Sequence, residues 1–270
     1  ANGVRFHSGV SYRHLMVGKG LRPELDCMPP HDHPGEAVED LMIRPLNPEA
    51  KKTADFLNDL TRRSWDVLKD HPINQKRIAA GKDPASSIWL WSPGRRPEMW
   101  TFKERFGVTG AVICAVDLIK GIGICAGLEA IKVPGATGLY DTNYEGKAQA
   151  CLDALKRVDF CYVHVEAPDE AGHDGNLELK IRTIEDLDQR LIRLVLEGLE
   201  KSGTEAVIAL LPDHPTPVMQ RIHVRDAVPF AIWDPRQKAD SVMAYDETSC
   251  AAGSFGTLAR DAFIQAVFRG

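Results

Sequence analysis

Several features that would assign the chain to a class at once are missing from it. Its six cysteines, Cys27, Cys114, Cys125, Cys151, Cys161 and Cys250, are scattered and form no CxxC pair. That usage reads as reduced thiols in a cytoplasmic protein. There is no uninterrupted hydrophobic run of membrane-spanning length. The longest apolar stretch, residues 108–131, is broken by Asp117, Lys120, Glu129 and several glycines, which suits a buried strand and helix better than a bilayer span. No excess of positive charge exists either. With 33 Lys and Arg against 38 Asp and Glu the formal charge is −5, which argues against a broad nucleic-acid or anionic-membrane surface while leaving room for a local anion site. The opening ANGVRFHSGVSYRH lacks the charged start and apolar run of a signal peptide. No repeat, low-complexity segment or GxSxG elbow occurs.

What the chain does have is the material of a folded domain. Its 270 residues, 44% hydrophobic and 26% charged, can bury a full core and exclude disorder. Two extended segments, VRFHSG and SYRHLMVG, precede the proline-rich loop LDCMPPHDHPGEA. Asn47-Pro48 then reads as a cap with proline at the first helical position. Ala54, Phe56, Leu57, Leu60, Trp65 and Leu68 follow at helical spacing, and the helix stops before Pro72. Apolar runs SSIWLWS, VTGAVICAV, VDFCYVHV, EAVIALLP and VPFAIW alternate thereafter with helical patterns. The alternation predicts an α/β fold, a mostly parallel sheet covered by helices on both faces. A long helix is expected from about Leu177 to Lys201, with Ile181, Ile184, Leu187, Leu191, Val195 and Leu199 in one stripe. A last helix should follow Gly253 and turn Leu258, Phe263, Ile264, Val267 and Phe268 inward.

Ligands in parallel sheets bind beyond the carboxyl ends of strands. Two such places carry metal-ligand chemistry. After VDFCYVHV comes EAPDEAGHDG, where Asp169 and His173, four residues apart, share a face of a helical turn. After AVIALLP comes DHPTP, with Asp213 and His214 adjacent, and His223 follows in QRIHVRDAVPF. Each residue alone could be a cap, a turn or an incidental histidine. Together they form a nitrogen and oxygen set suited to zinc, manganese or magnesium. Five protein ligands exceed one tetrahedral shell, so two metals are expected, an arrangement that can clamp a displacement at phosphorus. His164, Glu166 and Asp174 could orient ligands from behind; a buried histidine or a turn would account for them as well.

The runs PDEAGHDG, LLPDHPTPV and HVRDAVPF resemble the metal motifs of the archaeal type of cofactor-independent phosphoglycerate mutase, within the alkaline phosphatase superfamily. SGVSYRHLMV, PPHDHPG, WSPGRRP, AVDLIKGIG, DTNYEGKAQA and AAGSFGTL look like that family in the same order. The resemblance implies an alkaline phosphatase-like core over residues 43–270, with residues 1–42 part of an inserted substrate domain. It implies that Asp169, His173 and His223 hold one divalent ion and Asp213 with His214 the other. It places Arg13, Arg95, Arg96, Lys120 and Lys147 where basic groups hold phosphate or a carboxylate, and brings His31 and Asp32 toward a phosphorylated sugar acid. The implied activity is a glycolytic isomerisation, 3-phosphoglycerate to 2-phosphoglycerate through a phosphoserine.

The family's nucleophile and a further aspartate ligand lie in a segment that this sequence does not contain, so the resemblance begins part-way through the pattern. The expectations are a second metal short of one ligand, an unpaired sheet edge and a chain inactive by itself. Ser254, in a glycine loop, is a poor substitute. Homoserine kinase-like or phosphatase chemistry on the same fold, and a non-catalytic metal-binding remnant, stay open as alternatives.

Overall fold

The computed structural model describes residues 3–9, 14–30, 33 and 35–269, residue 269 by its backbone alone. Arg13, His31 and Asp32 therefore lie outside the described residues. The chain divides into two compact units, Ala1–Pro97 and Glu98–Gly270.

In the first unit, β1 (Val4–Ser8) and β2 (His14–Gly18) pair antiparallel, as do the short β3 (Leu25–Asp26) and β4 (Arg44–Pro45). The Asn47 side chain accepts from the Ala50 amide and starts a turn that runs into α1 (Lys51–Lys69); α2 (Pro72–Ala79) follows. One face of α1 is buried, with Ala54 and Leu57 packed on Leu25, Ile43 and Ala50. That packing places α1 with the opening strands in this unit, which ends at Pro97.

The run SSIWLWS, expected as a strand, is not one: residues 83–101 have no regular structure. Backbone amides in and just before the run bond to side chains instead of a neighbouring strand, and an indole N–H of the run bonds to a distant carbonyl. The Ala85 amide donates to Asn74 Oδ1 at 2.9 Å, the Ile88 amide to Ser64 Oγ at 3.0 Å, and Trp89 Nε1 to the Met28 carbonyl at 2.8 Å. Asn74 and Ser64 thereby satisfy amides that a ladder would otherwise serve.

The second unit starts with α3 (Phe102–Phe106), closed by a reciprocal Thr101–Glu104 capping box and ended at Gly107. The strand β5 (Gly110–Ile113) is buried along its length between β6 (Glu129–Ile131) and β7 (Phe160–Val163), all parallel, in the order β6-β5-β7. The crossovers are α4 (Asp117–Cys125) and α5 (Tyr144–Leu155). Strand alternation sends Val112 and Phe160 to one face, against Phe102, Ile119, Ala126 and Leu128. Ile113, Cys161 and Val163 face the other way, against Cys151, Leu155 and Val195. The sheet is thus covered by helices on both sides, as its continuous apolar strands required.

Beyond β7 come α6 (Ala167–His173), α7 (Leu177–Leu187) and α8 (Arg193–Ser202), the last ended by Gly203 at φ 63°. A π turn, Asp188–Ile192, joins α7 to α8. The extra residue in such a turn rotates the side chains of α8 about the helix axis relative to those of α7, so the expected single stripe is broken. Leu191 and Leu199 are buried, yet Ile181 and Ile184 are about half exposed, at 49% and 52%, and Thr183 faces inward in their place. Strands β8 (Ile208–Leu210) and β9 (Ala231–Trp233) form a separate antiparallel pair. After the short α9 (Glu247–Cys250), α10 (Ala262–Arg269) starts later than Gly253, leaving Leu258 outside it. Phe268 stacks on Phe106 with ring centroids 4.7 Å apart. No described helix is long and apolar enough to cross a membrane, and the six cysteines are free.

Candidate metal centre

Pro168, in the first turn of α6, helps start that helix just past the end of β7. The helix puts Asp169 and His173 one turn apart, with His173 Nε2 3.4 Å from Asp169 Oδ2. The second supplier is the loop after β8. Its backbone turns back on itself: the Arg221 amide donates to the Pro217 carbonyl at 2.9 Å and the Val224 amide to the Pro215 carbonyl at 3.1 Å. This return lays the His223 ring over His214, with centroids 3.7 Å apart. His223 Nε2 then lies 3.0 Å from His173 Nε2 and 3.3 Å from Asp169 Oδ1. His214 approaches the same carboxylate, Nδ1 to Oδ1 at 3.9 Å, while its Nε2 is 3.5 Å from Asp213 Oδ2. Asp169, His214 and His223 each offer a ligand atom within 4.8 Å of one another.

Close helix–loop contact makes this possible. A Cβ on Gly172 would collide with the Thr216 carbonyl oxygen, so only glycine lets the loop sit this near α6. The same carbonyl accepts from Lys180 Nζ at 2.6 Å. The Thr216 hydroxyl donates to Asp169 Oδ1, and His214 Nδ1 lies 3.3 Å from its oxygen. Because a carboxylate only accepts, the hydroxyl of Thr216 points its proton at Asp169 and turns its lone pairs toward His214.

The donor set fits a divalent cation. Metal–ligand bonds of about 2.1 Å put neighbouring ligand atoms roughly 3.0–3.4 Å apart, the range spanned by the His173, His223 and Asp169 separations. Asp169 is mostly shielded, at 23% side-chain exposure, whereas Asp213 is 60% exposed. The cluster is closed on the protein side and open on the other.

Behind it, the groups expected to support ligands take definite positions. Burial lowers the His164 imidazole pKa, with Asp213 opposing, and its Nδ1 lies 3.4 Å from Cys114 Sγ. Gly138 makes room for the Glu166 carboxylate, which a Cβ there would strike. Asp174 accepts from the Tyr140 hydroxyl, and that bond, with burial, pushes Tyr140 up to about 12.

The described basic candidates fall in both units. Lys147 is 1% exposed and donates to the His164 carbonyl at 3.0 Å. Burial lowers the pKa of its ammonium, so in this arrangement it braces a strand end. Lys120 donates to the Ala115 carbonyl at 3.0 Å and pairs with Asp117. In the first unit Arg95 is an exposed partner of Glu24 at 3.6 Å, and Arg96 is exposed. The sequence pattern gave no reason to single out Lys180 or Arg221. Thr216 has one signal, its place within DHPTP.

A family model described as the Metalloenzyme superfamily matches residues 17–264. The chain belongs to the Metalloenzyme superfamily. It is 50% identical over 259 residues to the 2,3-bisphosphoglycerate-independent phosphoglycerate mutase of Methanosarcina acetivorans, covering 94% of this chain and 63% of that protein. A probable 2,3-bisphosphoglycerate-independent phosphoglycerate mutase of Geobacter sulfurreducens is 46% identical over 96% of this chain and 63% of its own length. Among solved structures, the cofactor-independent phosphoglycerate mutase of Thermoplasma acidophilum superposes with a TM-score of 0.60 at 28% identity, over 93% of this chain and 60% of that one. The chain thus spans somewhat less than two thirds of these relatives. The resemblance carried by the motifs holds, and the superfamily core is the alkaline phosphatase-like arrangement that this resemblance implied.

Proposed function

We propose that residues 1–270 are part of a 2,3-bisphosphoglycerate-independent phosphoglycerate mutase, and that Asp169, His173, Asp213, His214 and His223 are ligands of its two-metal centre. The observation that carries the reading is the convergence of His173 Nε2, His223 Nε2 and the Asp169 carboxylate, with His214 and Asp213 continuing the line of ligands. The names and identities of the relatives supply the substrate class, a small phosphorylated acid. Bound divalent ions, manganese, zinc or magnesium, would supply charge to neutralise phosphoryl oxygens during transfer.

The chain's own residues set that centre up. Asp169 and His173 come from one helix turn, so their separation is held by helix geometry. Thr216 holds Asp169 by donating to it, and Lys180 holds Thr216. Arg13, Arg95, Arg96, Lys120 and Lys147 are proposed to hold phosphate or the substrate carboxylate, Lys147 from its buried place beneath the end of β7, and His31 and Asp32 to reach the sugar-acid part. No residue among 1–270 is assigned as the nucleophile.

The complete gene product, assayed for interconversion of 3-phosphoglycerate and 2-phosphoglycerate, should be active, lose activity on chelation and regain it with added manganese or zinc. Changing His173→Ala should abolish the metal-dependent turnover. Phosphate release or homoserine phosphorylation without interconversion would overturn the mutase reading.

A further inference from the structure

One residue beside the centre has a backbone conformation that its type does not favour. Arg221 has φ 57°, in the left-handed region, where a non-glycine residue is uncommon. The conformation persists because both ends of the residue are tied. Its amide donates to the Pro217 carbonyl at 2.9 Å. Its own carbonyl oxygen lies 2.9 Å from His173 Nδ1. Its guanidinium rests against Gly175, itself at φ 67°, on the side where a Cβ would stand. Strained backbone held in this way concentrates at functional sites, and here it sits two residues before His223.

A carbonyl oxygen can only accept, so His173 Nδ1 carries the proton in this contact. The neutral ring then presents Nε2 as its lone-pair atom, and Nε2 is the atom facing His223 and Asp169. Metal-bound histidines commonly donate their other ring N–H to a carbonyl or carboxylate, which sets ring orientation and tautomer.

We propose that Arg221 is a positioning residue for the metal centre, its left-handed backbone aiming the peptide carbonyl at His173 Nδ1 so that His173 Nε2 faces the ion. This deepens the metal-centre reading and rests on it. The contribution comes from the backbone, so the side chain at 221 matters through the conformation it permits. Asparagine tolerates the left-handed region; a β-branched valine does not. Both lack the guanidinium, so their difference isolates the backbone.

The test uses the complete protein stripped of metal, with Zn²⁺ affinity measured by competition against a chromophoric chelator. Arg221→Asn should bind within a few-fold of the parent, and Arg221→Val about 10- to 100-fold more weakly than Arg221→Asn. Nitrogen-detected NMR of the metal-free protein above the histidine titration range should find His173 protonated at Nδ1 in the parent and in Arg221→Asn. In Arg221→Val the proton should redistribute toward Nε2. If valine does not yield folded protein, Arg221→Gly, which restores left-handed freedom, must bind zinc like asparagine. Equal zinc affinity of the asparagine and valine variants, loss of affinity in both asparagine and glycine, or an Nε2-protonated His173 in the parent would overturn the proposal. A parent that binds no divalent ion would overturn the metal reading beneath it, a result distinct from each of these.

Discussion

Replacing Thr216 by valine removes one hydroxyl and keeps the shape of the side chain. Thr216 is 3% exposed, so no solvent stands ready to take over its role. Its hydroxyl links two of the proposed ligands: it donates to Asp169 Oδ1 and faces His214 Nδ1 at 3.3 Å. A hydrogen bond to a charged group contributes about 1.5–3 kcal/mol. At about 1.4 kcal/mol per tenfold, its loss should weaken divalent-metal binding roughly 10- to 150-fold. Isothermal titration of the metal-free complete protein with Mn²⁺ or Zn²⁺ reads this directly. Thr216→Ser keeps the hydroxyl and should recover most of the affinity, which separates the hydrogen bond from the packing of the methyl group. If valine binds metal as tightly as threonine, the hydroxyl does not hold Asp169 and the assignment of Thr216 fails. If serine is as weak as valine, packing and not the hydrogen bond is responsible.

Two further outcomes test the interior and the acid limb. The Tyr144 ring is fully buried with the Arg190 guanidinium 4.9 Å from its centre, and its hydroxyl finds no hydrogen-bond partner among the described residues. Tyr144→Phe keeps the ring and should stabilise the protein by about 1 kcal/mol, the sign expected when an unsatisfied buried polar group is deleted; a lower melting temperature would show that the hydroxyl is satisfied in solution. Near β9, the Arg236 guanidinium and amide hold the Asp234 carboxyl down to about 2. Its folded value lies below the ordinary one of about 3.9, so its stabilising effect is present above about pH 4 and disappears as pH falls through about 2. The melting-temperature gap between the parent and Asp234→Asn should close over that interval, and a gap unchanged from about pH 5 to about pH 2 would refute the pairing.

Much of the architecture was readable because it depends on local periodicity. The cap at Asn47, the apolar strands β5 and β7, and the four-residue spacing of Asp169 and His173 each follow from rules spanning a turn or a strand. The misreadings share one cause. SSIWLWS is apolar enough for a strand, yet Ser64 takes its Ile88 amide and Asn74 the Ala85 amide just before it, in place of a ladder. The stripe through Ile181, Ile184, Leu191 and Leu199 looked continuous because one period was assumed across a π turn that nothing in the spacing announces.

The sequence alone determined which side chains were available as proposed ligands. It set carboxylates and imidazoles at strand ends, with no thiolate among them, and the helix repeat made Asp169 and His173 neighbours before any tertiary contact forms. Tertiary structure decided the assembly. His223 reaches Asp169, far earlier in the chain, because the loop turns back through the Pro215 and Pro217 carbonyls and because Gly172 lets that loop close on α6. The Thr216 and Lys180 bonds exist only once it has closed. Periodicity carries information over a few residues, whereas the distance between two segments is set by the packing that joins them.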